Sequence, residues 1–143
     1  EIDLIGSGSS EKNLKELARK CNTKVNFLGT FSNNELLSIY KNYKYYLSTS
    51  NFEGNSKTIL EALSGGCIVY VKDIPNNLEI ITDKINGFLY SEKFDYEKFE
   101  IIKNYDTSTL EKISNSGVNL INSIYSVDKL LEIEYKNYLS LKK

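Results

Sequence analysis

Tyr45-Tyr46-Leu47-Ser48, then Thr49-Ser50-Asn51-Phe52-Glu53-Gly54-Asn55, then Ser56-Lys57-Thr58-Ile59-Leu60-Glu61-Ala62-Leu63-Ser64-Gly65-Gly66, then Cys67-Ile68-Val69-Tyr70-Val71: this stretch decides the fold. A short aromatic and apolar strand leads into a polar loop. Helical spacing of Ile59, Leu60, Ala62 and Leu63 follows, with Ser56 or Asn55 placed to cap its start and Gly65-Gly66 its end. The closing segment is an unbroken apolar run, as expected of a parallel strand covered on both faces. Strand, loop, helix and strand in this order make a βαβ unit.

Upstream the same pattern recurs. Ile2-Asp3-Leu4-Ile5-Gly6 and Val25-Asn26-Phe27-Leu28-Gly29 read as strands. Between them Leu14, Leu17, Ala18 and Cys21 keep helical spacing behind Ser10, a candidate N-cap. Ser32 precedes Glu35 by three residues, a capping-box signal for a helix carrying Leu36, Leu37, Ile39 and Tyr40. Downstream, Pro75 opens a turn and a short helix through Leu78, Ile80 and Ile81. Phe88-Leu89-Tyr90 follows as a fifth strand, then helical patterns at about 96–103, 108–123 and 126–141. In the last, Val127, Leu130, Leu131, Tyr135 and Tyr138 form one apolar stripe.

The expected fold class is therefore α/β, a parallel sheet flanked by helices with extra helices at the C-terminus. The loops 6–10, 29–34, 49–56 and 72–77 all follow strands, so all lie at the carboxyl edge, where open α/β sheets bind ligands.

Composition narrows the function. The chain has 143 residues, read as a single domain over 1–143, and is 41% hydrophobic and 26% charged. Eighteen basic residues against nineteen acidic ones point to no nucleic-acid partner. No apolar run reaches the roughly 18 residues of a membrane span. Without histidine, Ser-His and Cys-His nucleophiles are excluded from this stretch. Cys21 and Cys67 lack CxxC spacing and read as buried or half-buried reduced thiols, and no metal site is expected.

Two glycine signals are structural. Gly6-Ser7-Gly8 lacks the third glycine of a dinucleotide fingerprint, Glu11 standing in its place, and reads as a tight turn. No GxxxxGK[ST] phosphate loop is present. Gly65-Gly66 reads as a helix C-cap.

Glu53 and Glu61 carry the functional reading. Glu53 sits in the loop that opens directly into a helix, whose unpaired N–H groups and positive dipole end suit phosphate. Glu61 lies among Ile59, Leu60, Ala62 and Leu63, which leave it little exposed surface. A carboxylate accepts from two adjacent hydroxyls at once, which a ribose diol or a hexose offers. Lys57 opposes the helix dipole unless an anion sits beside it.

The stretch from Glu53 to Glu61 resembles the E-x7-E motif of retaining GT-B glycosyltransferases, the group 1 or GT4-like family. Ile2 to Gly8, Val25 to Gly29, Glu35 to Leu37 with Tyr40, Asp83 to Leu89 and Tyr125-Ser126 fall in that family's order and spacing. The resemblance implies the Rossmann-like C-terminal half of a GT-B fold, which binds a nucleotide-diphosphate sugar. It implies transfer of a hexose-type sugar, with retention, to a glycan, lipid or other acceptor held by an N-terminal domain. Glu53, as the candidate catalytic residue, would contact donor sugar hydroxyls without serving as nucleophile. Gly54, Asn55, Ser56, Lys57 and Thr58 would receive sugar and diphosphate, Glu61 would hold the ribose diol, and Phe31 would lie against the nucleobase.

No cofactor and no metal are expected, and the location implied is cytoplasmic, with peripheral membrane contact through the missing domain. Asn55 and Ser56 stand where the family commonly has an aromatic residue and a glycine, and Lys57 occurs in one branch. The chain begins at Glu1 and contains no methionine, so it reads as a fragment. The family's diphosphate-gripping Arg and Lys would precede it, leaving half an active site and an inactive fragment. Two other readings are a non-catalytic Rossmann-like interaction module and a sugar-nucleotide epimerase.

Overall fold

The computed structural model describes residues 1–21, 23–52, 54 and 56–141. They fall into two compact units, Glu1–Leu36 and Leu37–Lys143. The parallel arrangement expected from the sequence is present in each, as two sheets.

In the first unit β1 (Ile2–Ile5) and β2 (Val25–Gly29) pair in parallel, joined by helix α1 (Glu11–Lys20). Gly6 takes φ +133° while its N–H reaches the Gly29 carbonyl at 2.7 Å, the tight turn its sequence suggested. Ser10 occupies the N-cap of α1, but in a helical conformation (φ −81°, ψ −7°) that leaves its side chain without a cap bond. Among the described residues of this unit none is fully buried, and Leu14 and Leu17 of α1 are exposed. Cys21 is exposed as well, contrary to the expectation of two sheltered thiols. The capping box forms as predicted: the Ser32 N–H and hydroxyl both donate to Glu35 Oε2 at 2.7 Å, opening α2 (Asn33–Tyr40).

The second unit holds the sheet β3 (Tyr45–Ser48), β4 (Ile68–Lys72) and β5 (Phe88–Tyr90), parallel in that order. Helix α3 (Lys57–Ser64) connects β3 to β4, and α4 (Pro75–Leu78) lies between β4 and β5. In β4, Ile68, Val69, Tyr70 and Val71 are all buried, and since successive strand residues face opposite sides, both faces of the sheet are covered here. On one side Ile68 and Tyr70 join Phe88 and Tyr90 with Ile102 of α5 (Tyr96–Lys103) and Leu110 and Ile113 of α6 (Thr107–Leu120). Asp95 and Asp106 cap α5 and α6, accepting from Lys98 N–H and Thr109 N–H at 2.8 and 2.9 Å.

Helix α4 is shorter than its apolar pattern. Asn86 explains the stop: its Nδ2 donates to the Ile80 carbonyl at 2.9 Å and its Oδ1 accepts from Thr82 N–H at 2.7 Å. The groups a next helical turn would use are thus taken, while Ile80 and Ile81 stay buried. At the other end of the chain, α6 gives way to a π-helical turn at Ile121–Tyr125 before α7 (Val127–Ser140). The apolar stripe of α7 is exposed along its length. No helix among the described residues is long and apolar enough to cross a membrane.

The end of α3 is a Schellman motif. Cys67 N–H reaches back to the Ala62 carbonyl and Gly66 N–H to Leu63, each at 3.0 Å, with Gly66 at φ +82°. Cys67 is then fixed: its thiol donates to the Tyr40 and Tyr43 carbonyls at 3.2 and 3.3 Å, and burial pushes its pKa up to about 11. Because the thiolate is the reactive form, Cys21 is expected to alkylate in the folded protein and Cys67 only after denaturation. Mass spectrometry of iodoacetamide-treated protein, with and without urea, checks this.

Candidate functional site

The carboxyl edge of the β3–β4–β5 sheet gathers the residues singled out between Gly54 and Glu61. Their position starts with β3, whose last carbonyl, on Ser48, accepts the Tyr90 hydroxyl at 2.9 Å. The loop that follows is tied to the end of β4 and the stretch after it at three points. Lys72 Nζ donates to Asn51 Oδ1 at 2.6 Å, Asn76 Nδ2 donates to the Gly54 carbonyl, and the Ser56 hydroxyl donates to Asn77 Oδ1 at 2.8 Å. Glu53 and Asn55, two of the predicted site residues, lie outside the described residues.

Ser56 occupies the N-cap of α3, as the sequence suggested, yet makes no side-chain cap bond. Its hydroxyl proton goes to Asn77 Oδ1 instead. The Ser56 carbonyl takes the N–H groups of Ile59 and Leu60 at 3.0 and 3.2 Å. The start of the helix is the positive end of its dipole. Thr58, exposed, accepts the Tyr46 hydroxyl on Oγ1 at 3.0 Å.

Glu61 lies one turn further on and is 8% exposed. Side chains of a helix tilt toward its N-terminus. Accordingly the Glu61 carboxylate meets Lys57, the first residue of α3, with Nζ to Oε1 at 3.5 Å. That is an ion pair too long for a hydrogen bond, and Oε1 is buried without a hydrogen-bond partner among the described residues. Lys57 is exposed, so the pair costs Glu61 its solvation and returns little. The carboxylate is left with acceptor capacity in a sheltered place. Nearby, burial raises the Tyr40 phenol, with Tyr46, Glu61 and Cys67 adding to it, so Tyr40 presents a neutral hydroxyl at pH 7.

Phe31 is half-buried just past the end of β2, in the first unit, whereas Gly54 to Glu61 belong to the second. The first unit's open groove along α1, lined by Lys15, Arg19, Thr23 and Phe27, reaches the amino edge of β2 rather than the loops that follow strands. No three His, Cys, Asp or Glu side chains converge among the described residues. Sequence reasoning missed Asn77, Tyr46 and Tyr40. The two tyrosines read as core, and Asn77 as a turn residue after Pro75; nothing in their local pattern marks them.

Residues 1–103 match the family model described as glycosyl transferases group 1. Over 89 residues the chain is 34% identical to the UDP-N-acetylglucosamine–peptide N-acetylglucosaminyltransferase GtfA subunit of Streptococcus agalactiae, covering 62% of this chain and 17% of that one. An uncharacterized glycosyltransferase of Haemophilus influenzae is 29% identical over 145 residues, 96% of this chain and 39% of its own. The chain thus spans less than half the length of these relatives. Anabaena Alr3699/HepE, solved in complex with UDP-glucose, superposes with a TM-score of 0.83 at 20% identity, covering 96% of this chain and 40% of that one. At that identity the likeness is one of fold, parallel sheets flanked by helices in both.

Proposed function

The chain belongs to the glycosyl transferases group 1 family and has the Rossmann-like fold of the C-terminal half of a GT-B enzyme, and from that premise we propose that it is the part that binds the nucleotide-sugar donor. The whole enzyme transfers a hexose-type sugar, with retention, to a glycan, lipid or other acceptor bound by the rest of the polypeptide. It works in the cytoplasm, against the inner membrane face where the acceptor is a lipid.

One observation carries the reading: Glu61 keeps a buried oxygen with no hydrogen bond among the described residues, one turn from a helix N-terminus whose own serine does not cap it. Glu61 accepts the two hydroxyls of the donor ribose, a bidentate arrangement only a carboxylate allows without a second residue. The diphosphate lies at the start of α3, received by backbone N–H groups from Gly54 to Thr58 and by the Lys57 ammonium. There these groups stabilise charge as the sugar–phosphate bond breaks, so the reaction needs no metal and no cofactor. Glu53 holds the sugar hydroxyls. The acceptor attacks from the face the diphosphate leaves, its proton passing to a diphosphate oxygen, which retains the anomeric configuration.

UDP titrated calorimetrically into the intact protein and its Glu61→Ala variant tests this. Loss of two hydrogen bonds to a charged acceptor is expected to weaken UDP binding by about tenfold or more. Equal affinities in the two proteins would remove Glu61 from the ribose site.

A further inference from the structure

We propose that the open edge of β1 is a docking surface for a parallel β-strand supplied by the rest of the polypeptide, with the helix that joins the two strands packed beside α1. The inference concerns the first unit alone and does not depend on donor binding.

Strand β1 pairs with β2 on one side and with no strand among the described residues on the other. The Ile2 N–H reaches the Lys24 carbonyl at 3.0 Å and the Gly6 N–H reaches the Gly29 carbonyl at 2.7 Å. Backbone groups alternate along a strand, so the Leu4 N–H also faces β2 while the Ile5 N–H faces the open side. The outer edge of β2 is the less suitable one. Its register runs from Leu4 opposite Phe27 to Ile5 opposite Gly29, which leaves Leu28 as a bulge, with Gly29 at φ +72°. Bulges blunt the outer edges of sheets. β1 is regular and carries neither proline nor lysine.

Helix α1 gives an independent sign. The Lys15 Nζ lies over Phe27, 5.2 Å from the ring centroid, and a groove lined by Lys15, Ala18, Arg19, Val25 and Phe27 runs along that flank. Ile2 and Leu4 stand opposite Val25 and Phe27, so they share the face that α1 covers. Leu14 and Leu17 lie about 100–160° round the helix from Lys15 and Arg19. They therefore overhang β1 and the space past its edge. There Leu14 is 39% and Leu17 55% exposed, and Ile2 below them is 47% exposed. The apolar face of α1 is wider than the two strands can cover, and two strands alone make a marginal sheet.

The same geometry selects the occupant. More than half the length of the relatives lies outside the stretch this chain matches. A strand beside β1, joined to it by a right-handed crossover, continues the step from β1 to β2 in one direction. Its helix then arrives on the face that α1 occupies, against Leu14 and Leu17.

Residue-resolved amide hydrogen exchange on the full-length polypeptide tests this. Ile5 is expected to exchange within about tenfold of Leu4, as in a strand paired on both sides. An Ile5 amide exchanging faster than that overturns the proposal. Ile5 protection that grows with protein concentration also overturns it, since a second copy would then hold the edge. Leu17→Asp is expected to speed Ile5 exchange by about tenfold, and Arg19→Asp, on the other flank of α1, to leave it unchanged. Equal rates in the two variants would remove the helix from beside Leu17. Should Leu17→Asp not fold, the wild-type comparison of Ile5 with Leu4 still decides. None of these measurements involves UDP, so failure of the donor reading leaves the inference standing.

Discussion

Tyr70→Ala is expected to lower the free energy of unfolding by about 4 kcal/mol, measured by urea denaturation. The residue is fully buried in the central strand, and its ring anchors a cluster. Tyr90 and Phe94 meet it at centroid distances of 5.1 and 5.3 Å, and Phe99 stacks on it at 5.7 Å with an interplanar angle of 10°. Truncation opens a cavity that a three-stranded sheet pinned under α5 and α6 cannot close by relaxation. Tyr70→Phe isolates the hydroxyl, which donates to the Asp95 carbonyl at 2.9 Å, and is expected to cost about 1 kcal/mol. The same hydroxyl makes stability sensitive to alkali. Burial first, and Asp95 next, push its pKa from 10.0 up to about 12. The folded state therefore favours the neutral phenol. Its contribution is intact below pH 10 and is lost as pH rises through about 12, a slope Tyr70→Phe should flatten.

Gly65→Ala is expected to cost about 3 kcal/mol, the upper range for forcing a methyl group into a filled site. Gly65 has an ordinary φ of −75°, so the backbone does not demand glycine there. The space does. A Cβ on Gly65 would lie 2.6 Å from the Tyr40 Cβ and 3.3 Å from its carbonyl carbon, atoms that move only if the end of α2 moves. Gly66 is the opposite case: its φ of +82° needs glycine, while the nearest atom to an added Cβ, Ser114 Oγ, is 3.6 Å away. A melting temperature for Gly65→Ala within a degree of wild type would show that the α2–α3 contact yields more easily than its geometry implies.

Much of this was legible before any coordinates. The βαβ order, the Ser32–Glu35 box and the Gly65-Gly66 stop rest on local chemistry, and each is realised locally. What escaped was decided by distant partners. Ser10 and Ser56 stand at helix starts as expected, but whether a hydroxyl caps depends on what else it can reach, and for Ser56 that is Asn77, 21 positions away. The stop of α4 before Ile80 depends on Asn86, a residue that reads as a mere turn former. Division into two sheets was equally invisible, since every strand carries the same apolar signature. Glu61 was recognisable as an acid in an apolar setting; that its buried Oε1 meets Lys57 only at 3.5 Å, beyond hydrogen-bond length, was not.

The parallel neighbours β1–β2, β3–β4 and β4–β5 are each consecutive in the chain. No pairing has to wait for a distant segment to be made, so the loop-closure cost of each pairing is set by one crossover. Folding is expected to run at the intermediate rates of mixed α/β domains, between those of helical bundles and all-β folds. The ligand edge is assembled as a by-product: once β4 docks on β3, the loops that follow both strands arrive on the same side together.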